Sequence, residues 1–181
     1  MSDVRIAISG KSGCGNTTVS KIVADTLKLR FINFTFRSLA AEKGLTLKEV
    51  LDLAAKDEFW DREVDSRQVA IALEEGGCVL GSRLAIWMLK EADFKVYLRA
   101  KPETRAARIV KREGGSLEAV AAFTAERDRQ DSERYLRIYQ IDNDNYDFAD
   151  LVIDTDELDP ARIAALIVEG VQKLPQRNRK E

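Results

Sequence analysis

The residues best suited to chemistry form one glycine-bearing stretch near the start of the chain, at positions 10–18. Gly10 and Gly15 have the spacing of a phosphate-binding P-loop, in which backbone N–H groups and a helix N-terminus surround a polyphosphate. Thr17 stands where that motif carries a hydroxyl for Mg²⁺, whereas Asn16 stands where it carries a phosphate-binding lysine. The predicted nucleotide-binding residues are Gly10, Lys11, Ser12, Gly13, Cys14, Gly15, Asn16, Thr17 and Thr18, with Thr17 as the metal ligand.

Two sets of charged residues further along the chain have helical spacing. They are Arg105, Arg108 and Arg112 in the first set, and Arg127, Asp131 and Arg134 in the second. Because residues three and four apart share a helix face, each set presents its charges on one side of a helix. Gly114 and Gly115 predict a turn between the two helices, which could then form a flap that closes over phosphates. The alternative is that each set is an ordinary solvated helix face.

The composition excludes several classes of site. With no histidine among 181 residues, the chain has no histidine triad, imidazole metal site or histidine general base. Phosphoryl transfer remains, because it depends mainly on positioning and charge stabilisation. A net charge of −2 gives no reason to expect a nucleic-acid polymer or a membrane surface as partner. Two cysteines without a disulfide framework, and no signal-peptide pattern, predict a cytoplasmic protein.

Short apolar runs alternate with helical patterns along most of the chain. The predicted strands are Val4–Ser9, Arg30–Phe34, Cys78–Ser82, Lys95–Ala100 and Leu151–Thr155, and helices are predicted over 58–75, 84–91 and 116–139, among others. This alternation predicts an α/β fold, in which a parallel sheet of these five strands is covered by helices on both faces. Ligands of such sheets bind at the carboxyl ends of the strands. We therefore expect the 10–18 loop, Arg83 and Lys101 to meet at one edge.

These features together resemble the cytidylate kinase family, particularly its short, archaeal-type members, within the P-loop nucleoside monophosphate kinases. The resemblance covers the chain from Val4 to about Asp159. Besides the loop, it rests on Phe36-Arg37, Asp61-Arg62-Glu63, Arg67-Gln68, Arg83-Leu84-Ala85 with Trp87-Met88, Arg105 to Gly114, and Glu126-Arg127 through Arg134-Tyr135. A match dispersed in this way is more specific than the loop alone.

The resemblance implies transfer of the γ-phosphate of ATP to CMP or dCMP with Mg²⁺. It implies a single three-layer P-loop kinase domain over residues 1–181, with an acceptor-nucleotide subdomain near 35–75 and an arginine-rich lid near 105–135. The implied acceptor-binding residues are Arg37, Asp61, Arg83, Arg127, Asp131 and Arg134. The predicted catalytic residues are Arg108, Arg112 and Arg127, since guanidinium groups stabilise charge on phosphate oxygens. We expect the protein to act as a monomer.

The chain departs from the family pattern at three places. Asn16 replaces the lysine or threonine of the motif. Leu80-Gly81-Ser82 precedes Arg83, where the family usually has an acidic residue followed by glycine. Ile32-Asn33-Phe34-Thr35 replaces a turn that contains serine and glycine.

The missing lysine leaves open which residue supplies positive charge beside the transferred phosphate. The candidates are Lys11 and the flap arginines, and we favour Arg108 and Arg112 because a guanidinium makes bidentate contacts. Two alternatives to a cytidylate kinase remain at this point. One is a P-loop small-molecule kinase with another acceptor, and the other is a nucleotide-binding regulatory protein with weak or no turnover.

Overall fold

A computed structural model describes residues 3–74 and 76–175 of the chain. Within these residues, strands and helices alternate as follows: β1 (Arg5–Gly10), α1 (Asn16–Leu27), β2 (Arg30–Ile32), α2 (Phe36–Lys43), α3 (Leu47–Ala54), α4 (Phe59–Leu73), β3 (Cys78–Gly81), α5 (Ala85–Met88), β4 (Phe94–Arg99), α6 (Pro102–Glu113), α7 (Leu117–Tyr139), β5 (Leu151–Asp154) and α8 (Pro160–Gln172). None of these helices is both long enough and apolar enough to cross a membrane.

The strands form one five-stranded sheet in the order β2-β3-β1-β4-β5. Every neighbouring pair is parallel, so the carboxyl ends of all five strands lie at the same edge. From β1 the chain continues to β2 and β3 on one side of this strand, and later to β4 and β5 on its other side. Because β1 is the central strand, the loop that follows it lies at the centre of the carboxyl edge. Open α/β sheets bind their ligands at such a crossover point. The predicted five-stranded parallel sheet is confirmed.

Alternate side chains of β1 face opposite layers of the fold. Ile6 and Ile8 pack in one core with residues of α1 and α8, whereas Ala7 packs in a second core with residues of α4 and α5. All three side chains are fully buried. A strand covered on both faces has to be apolar at successive positions, which explains why β1 appears in the sequence as a continuous apolar run.

Among the predicted elements that are shorter in the structure, two end early for a clear local reason. The helix predicted over 84–91 is reduced to α5, because Leu89 leaves the helical region (φ −85°, ψ 81°) and is fully buried in the core on the α4 side of the sheet. The strand predicted over Arg30–Phe34 ends at Ile32. Thr35 accepts a hydrogen bond from the Ser38 N–H as the N-cap of α2, so the chain has to turn before it.

The regions predicted as subdomain and lid have distinct packing. Helices α2, α3 and α4 pack on one another, and α3 begins with a capping box between Thr46 and Glu49. Helices α6 and α7 also pack together, and they are joined at Gly114 and Gly115, which both have positive φ. The predicted helix 58–75 ends at Leu73 in the structure, and Glu75 lies outside the described residues.

Candidate functional site

The loop between β1 and α1 presents backbone donors at the centre of the carboxyl edge. Gly13 (φ +86°) and Gly15 (φ +92°) adopt left-handed conformations that favour glycine, and Gly15 is the N-cap of α1. Within the described residues no side chain caps this helix, and its first turn contains no acidic residue. The first N–H groups of α1 are therefore left without acceptors, and the positive end of the helix dipole is not compensated. Such a helix start binds anions, and phosphate fits it well.

Arg105 holds the loop against the start of α6. Its guanidinium donates to the Ser12 carbonyl oxygen (3.1 Å) and pairs with Asp128 on α7 (2.6 Å), and the residue is 5% exposed. A Cβ on Gly13 would lie 2.8 Å from both the Cβ and the carbonyl oxygen of Arg105, so only glycine permits this approach. Because its charge is already paired with Asp128, Arg105 serves chiefly to fix the loop.

The two other arginines of α6 differ from each other in how firmly they are held. Arg108 donates to the carbonyl oxygen and hydroxyl of Thr155, after β5, and to the Gly13 carbonyl oxygen (3.4 Å). Arg112 pairs only with the adjacent Glu113 (2.6 Å), among the described residues, and its side chain is 63% exposed. Arg112 is therefore the arginine of this helix that can reorient without breaking a contact to the loop.

The hydroxyl of Thr17 is available for a ligand. Thr17 and Thr18 are exposed in the first turn of α1, and neither makes a side-chain hydrogen bond within the described part of the chain. Lys11, one residue into the loop, pairs with Asp144 (2.6 Å) in the segment between α7 and β5. The described residues contain no group of three or more carboxylate, cysteine or histidine side chains that could enclose a metal ion.

The Asn16 side chain is bonded within the protein, whereas the lysine of the usual motif is directed to the phosphates. Its Nδ2 donates to the carbonyl oxygens of Ile8 (3.0 Å) and Ser82 (3.1 Å), and its Oδ1 accepts from the Ser20 hydroxyl (2.9 Å). Both amide hydrogens are therefore used on backbone carbonyls. The side chain is directed to the ends of β1 and β3 and has no donor left for a phosphate.

A second charged cluster lies beside the loop, after β3 and along α7. Arg83 pairs with Asp131 (2.7 Å) and donates to the Ser12 hydroxyl (3.4 Å). Arg134 pairs with Asp131 (2.8 Å) and with Asp61 of α4 (2.9 Å). Burial raises the pKa of Asp61, and the charge of Arg134 opposes that rise. Four of the six predicted acceptor residues, Asp61, Arg83, Asp131 and Arg134, are thus joined in one network.

Arg127 is close to this network but is not paired within it. The described residues offer it no ion pair or hydrogen bond. Burial lowers the pKa of its guanidinium, and repulsion from the Arg83 guanidinium lowers it further. Of these two neighbouring guanidinium groups only Arg83 has a carboxylate partner among the described residues, so the site has a deficit of negative charge, which an anion would relieve.

Two clefts open between these groups. The first is lined by Gly10, Lys11, Arg83, Tyr97, Asp128, Asp131 and Asn143. The second lies between the loop and the α6–α7 pair, and its lining includes Ser12, Arg112, Phe123 and Arg127. The loop is thus flanked by one cleft that contains Arg83 and another that contains Arg112.

The side chains of Arg37 and Lys101 make no hydrogen bond or ion pair with the loop or with the charged network, as far as the described residues show. Arg37 is exposed in the first turn of α2 and makes no ion pair or hydrogen bond with another described residue. Lys101 follows β4 at the carboxyl edge, where it is the exposed N-cap of α6 and its N–H donates to Asp156 (2.9 Å), just after β5.

Sequence reasoning missed several partners that organise the site. They are Ser20 beside Asn16, Asp128 beside Arg105, Thr155 beside Arg108, and Asp144 beside Lys11. Asp128 carried a weak signal, because it precedes Asp131 by one helical turn. Thr155 and Asp144 are ordinary polar residues whose partners are distant in the sequence, so no local pattern indicates them, whereas Ser20 lies one helical turn from Asn16.

Comparisons with known proteins agree with this geometry. A model of the cytidylate kinase-like family matches residues 5–157. Cytidylate kinase 2 of Borreliella afzelii (strain PKo) is 44% identical over 179 residues, which are 97% of this chain and 100% of that protein. The cytidylate kinase of Archaeoglobus fulgidus is 40% identical over 171 residues, which are 93% of this chain and 95% of that one.

A solved structure supports the fold independently. Shikimate kinase from Acinetobacter baumannii, in complex with shikimate, has a TM-score of 0.64 at 17% identity, covering 97% of this chain and 96% of its own. At that identity the likeness concerns the fold alone, which is the three-layer fold of P-loop kinases. The family match, by contrast, spans most of the sequence. The chain belongs to the cytidylate kinase-like family.

Proposed function

We propose that this protein transfers the γ-phosphate of ATP to CMP or dCMP. The observation that carries the proposal is a pair of groups suited to anions at one sheet edge: the uncapped start of α1, and Arg83, which reaches the Ser12 hydroxyl of the loop (3.4 Å) and has Arg127 near it. A kinase needs such a pair, since donor and acceptor phosphates both have to be held near the transferred group. The names of the cytidylate kinases at 40–44% identity supply the nucleotide.

The proposed role of each residue follows from the hydrogen bonds and ion pairs that it makes. The 10–18 loop, including Thr18, would bind the donor phosphates through its backbone N–H groups. Arg83 and Arg127 would bind the acceptor phosphate, with Asp131 and Arg134 orienting Arg83 through the network with Asp61. An ionised acceptor phosphate needs no general base, so an oxygen of CMP can attack the γ-phosphate directly.

Charge stabilisation during transfer is assigned to Arg108, Arg112 and Arg127. Arg127 lacks a carboxylate partner among the described residues, and Arg112 is held only by Glu113, so both can turn to an incoming phosphate. We assign 105–135 to a lid that carries these three residues and 35–75 to an acceptor subdomain. Arg37, exposed at the start of α2, would reach the acceptor when that subdomain closes.

The residues present fit a magnesium nucleotide. Thr17 offers an exposed hydroxyl in the first turn of α1, and the rest of the coordination would come from phosphate oxygens and water, as is usual for Mg²⁺. The bound ion would neutralise charge on the phosphates.

We further propose that the enzyme acts as a cytoplasmic monomer, without a nucleic-acid or membrane partner, since a net charge of −2 provides no field to attract either.

The test is a coupled ADP-release assay with MgATP and a panel of acceptors, namely CMP, dCMP, UMP, AMP, GMP and shikimate. We expect turnover with CMP and dCMP that exceeds turnover with every other acceptor by about tenfold or more. Preferred turnover of another acceptor would assign the chain a different substrate. Binding of ATP by calorimetry without turnover of any acceptor would replace the proposal with a regulatory role.

A further inference from the structure

The side chain of Asn16 connects three separate segments of the site. Its two amide hydrogens bond the Ile8 carbonyl at the end of β1 and the Ser82 carbonyl just after β3, while its oxygen accepts from Ser20. Ile8 also accepts a backbone hydrogen bond from the Ser82 N–H (3.2 Å). The Asn16 amide therefore extends the pairing of β1 and β3 by one residue beyond Gly81, the last residue of β3.

Ser20 fixes which way the Asn16 amide faces. Its hydroxyl lies one helical turn along α1, is fully buried, and donates to Asn16 Oδ1 at 2.9 Å. Because that oxygen is occupied by a donor, the Nδ2 group has to face the two carbonyls. A lysine at position 16 has no acceptor for the Ser20 hydroxyl, and would leave it buried without its partner.

Gly81 fits this arrangement because it has no side chain. A Cβ at position 81 would lie 2.6 Å from Ser20 Oγ, 2.9 Å from Ser20 Cβ and 3.1 Å from Asn16 Oδ1. The space beside the end of β3 is therefore filled by the Asn16–Ser20 pair. Two departures from the family pattern, Asn16 and Gly81, are thus packed against each other. Neither can be replaced by the residue that the family usually has without disturbing the other.

The segment that Asn16 holds leads directly into Arg83. Ser82 is adjacent to Arg83, whose guanidinium reaches Asp131 (2.7 Å) and the Ser12 hydroxyl (3.4 Å). Displacing the Ser82 carbonyl would move the backbone that carries this guanidinium. A shift of about 1 Å at a substrate-positioning group can cost two orders of magnitude in rate.

We propose that Asn16 is a positioning residue for the acceptor, and that it makes no contact with the donor phosphates. Its amide clamps the 81–83 segment to the start of α1, and this clamp sets where Arg83 meets the acceptor phosphate. The inference rests on the proposed function, since it takes Arg83 as an acceptor-binding residue. It also explains why position 16, where the usual motif has a lysine, can carry an uncharged residue in this chain: the side chain there bonds the backbone and not a phosphate.

The experiment compares Asn16→Leu, which removes all three hydrogen bonds, with Ser20→Ala, which removes only the one from the buried hydroxyl. Thr26→Ala is the matched control, because Thr26 is also in α1 and its hydroxyl also bonds one turn back, to Ile22. We expect Asn16→Leu to raise the KM for CMP about tenfold and Ser20→Ala about threefold, with ATP affinity changed by less than about twofold. Thr26→Ala should match the parent protein in both.

A double-mutant cycle with Arg83→Ala tests whether Asn16 acts through Arg83. If it does, Asn16→Leu should raise the KM for CMP by less than about twofold in the Arg83→Ala background. Equal effects in both backgrounds would overturn the inference while leaving the proposed function intact. Loss of ATP affinity with an unchanged KM for CMP would show instead that Asn16 contacts the donor.

Hydrogen exchange at the Ser82 amide tests the hydrogen bonds of Asn16 directly, whichever residues bind the acceptor. Its N–H bonds Ile8, so we expect exchange to accelerate in Asn16→Leu and Ser20→Ala but not in Thr26→Ala. Unchanged exchange in both variants would overturn the clamp whatever the kinetics show. An Arg83→Ala variant with the parental KM for CMP would overturn both the acceptor assignment and the role of Asn16 in it.

Discussion

At the scale of single residues, the arginines around the loop divide into those that are held and those that are available. Arg105 and Arg108 bond backbone carbonyls of the loop and of Thr155, so they stabilise the site before any ligand arrives. Arg112 and Arg127 have no such contacts within the described residues. Arg108 is therefore already fixed beside the Gly13 carbonyl of the loop, whereas Arg112 and Arg127 are free to turn to a phosphate when one binds.

The hydroxyl of Thr17 provides the first prediction. Thr17→Ala should weaken MgATP binding about tenfold or more, because it removes the predicted protein ligand of the metal. Binding of ATP in EDTA should change much less, since the backbone donors remain. Calorimetry with and without magnesium checks both, and Thr17→Ser, which keeps the hydroxyl, is the control. Equal MgATP affinity in the parent and in Thr17→Ala would exclude Thr17 as the ligand.

The source of positive charge during transfer provides the second prediction. Arg112→Ala should lower kcat at least tenfold, which is about 1.4 kcal/mol of barrier, with little change in thermal stability because only Glu113 loses a partner. Arg108→Ala should lower kcat and stability together, since Arg108 also ties α6 to Thr155. Lys11→Ala should cost less than either.

Steady-state kinetics and thermal melts of the three variants measure this ordering. The assignment to the lid arginines would fail if Lys11→Ala abolished activity while Arg108→Ala and Arg112→Ala kept the parental kcat. In that case Lys11 would have to leave Asp144 to reach the phosphate.

At the scale of elements, α7 connects the region proposed as a lid to the region proposed as an acceptor subdomain. It is 23 residues long, and its first half packs against α6. Its second half contacts α4 through polar groups: Arg62 donates to the Ile138 carbonyl (3.0 Å) and the Tyr139 hydroxyl donates to Asp65 (2.7 Å). Polar contacts at this interface make its stability sensitive to pH.

Asp65 provides a prediction for that interface. Burial raises its pKa from 3.8 to about 6, although the hydrogen bond from Tyr139 opposes the rise. Between these two values the folded protein binds more protons than the unfolded chain, so the contribution of Asp65 to stability falls as the pH rises. Asp65→Asn removes this titration, and its amide can pair with Gln68 Oε1, which is buried without a partner among the described residues. Relative to the parent, the variant should therefore gain about 1 kcal/mol or more in free energy of unfolding from pH 4 to pH 7.

Denaturant unfolding at several pH values measures this difference. Asp52→Asn is the control, because Asp52 is exposed on α3 and has no buried partner. A constant difference in stability between Asp65→Asn and the parent, from pH 4 to pH 7, would show that Asp65 does not titrate differently in the folded and unfolded states.

At the scale of the whole molecule, the described chain surrounds the sheet edge with two groups of helices. Helices α2, α3 and α4 lie on one side of the loop and α6 with α7 on the other, and both groups carry charged residues assigned to substrates. A site built from several separate segments is completed only when they approach one another around the ligand. Such closure also excludes water, which would otherwise compete with the acceptor.

Closure provides the last prediction. Hydrogen exchange across 105–135 should slow when a bisubstrate analogue, adenosine and cytidine joined by a pentaphosphate, is added. Helix α8 is the internal control, because it packs on the opposite side of the central strand from α4 and α5 and holds no assigned residue. Mass spectrometry of the exchanged peptides measures the effect. Equal exchange over 105–135 with and without the analogue would exclude a lid.

The sequence alone determined the sheet, the loop and the family. Each of these depends on local order: continuous apolar runs predict buried parallel strands, and glycines at fixed spacing predict a turn that opens a helix. The loop and Arg83 were predicted to meet, together with Lys101, because parallel strands end at one edge, and the structure brings Arg83 to the Ser12 hydroxyl of the loop. The lengths of α5 and β2 were not predicted, because burial of Leu89 and the cap at Thr35 end these elements.

Only the tertiary structure decided what the individual side chains do. The sequence presented Asn16 as a missing lysine, whereas the fold brings it to Ser82, 66 residues away, and makes it a bridge between two strands. The sequence presented three equivalent arginines on α6, whereas Asp128, Thr155 and Glu113 give each a different environment. The physical reason is the range of the interactions: secondary structure follows from neighbours in sequence, while a polar side chain takes its role from partners that only the folded chain brings near.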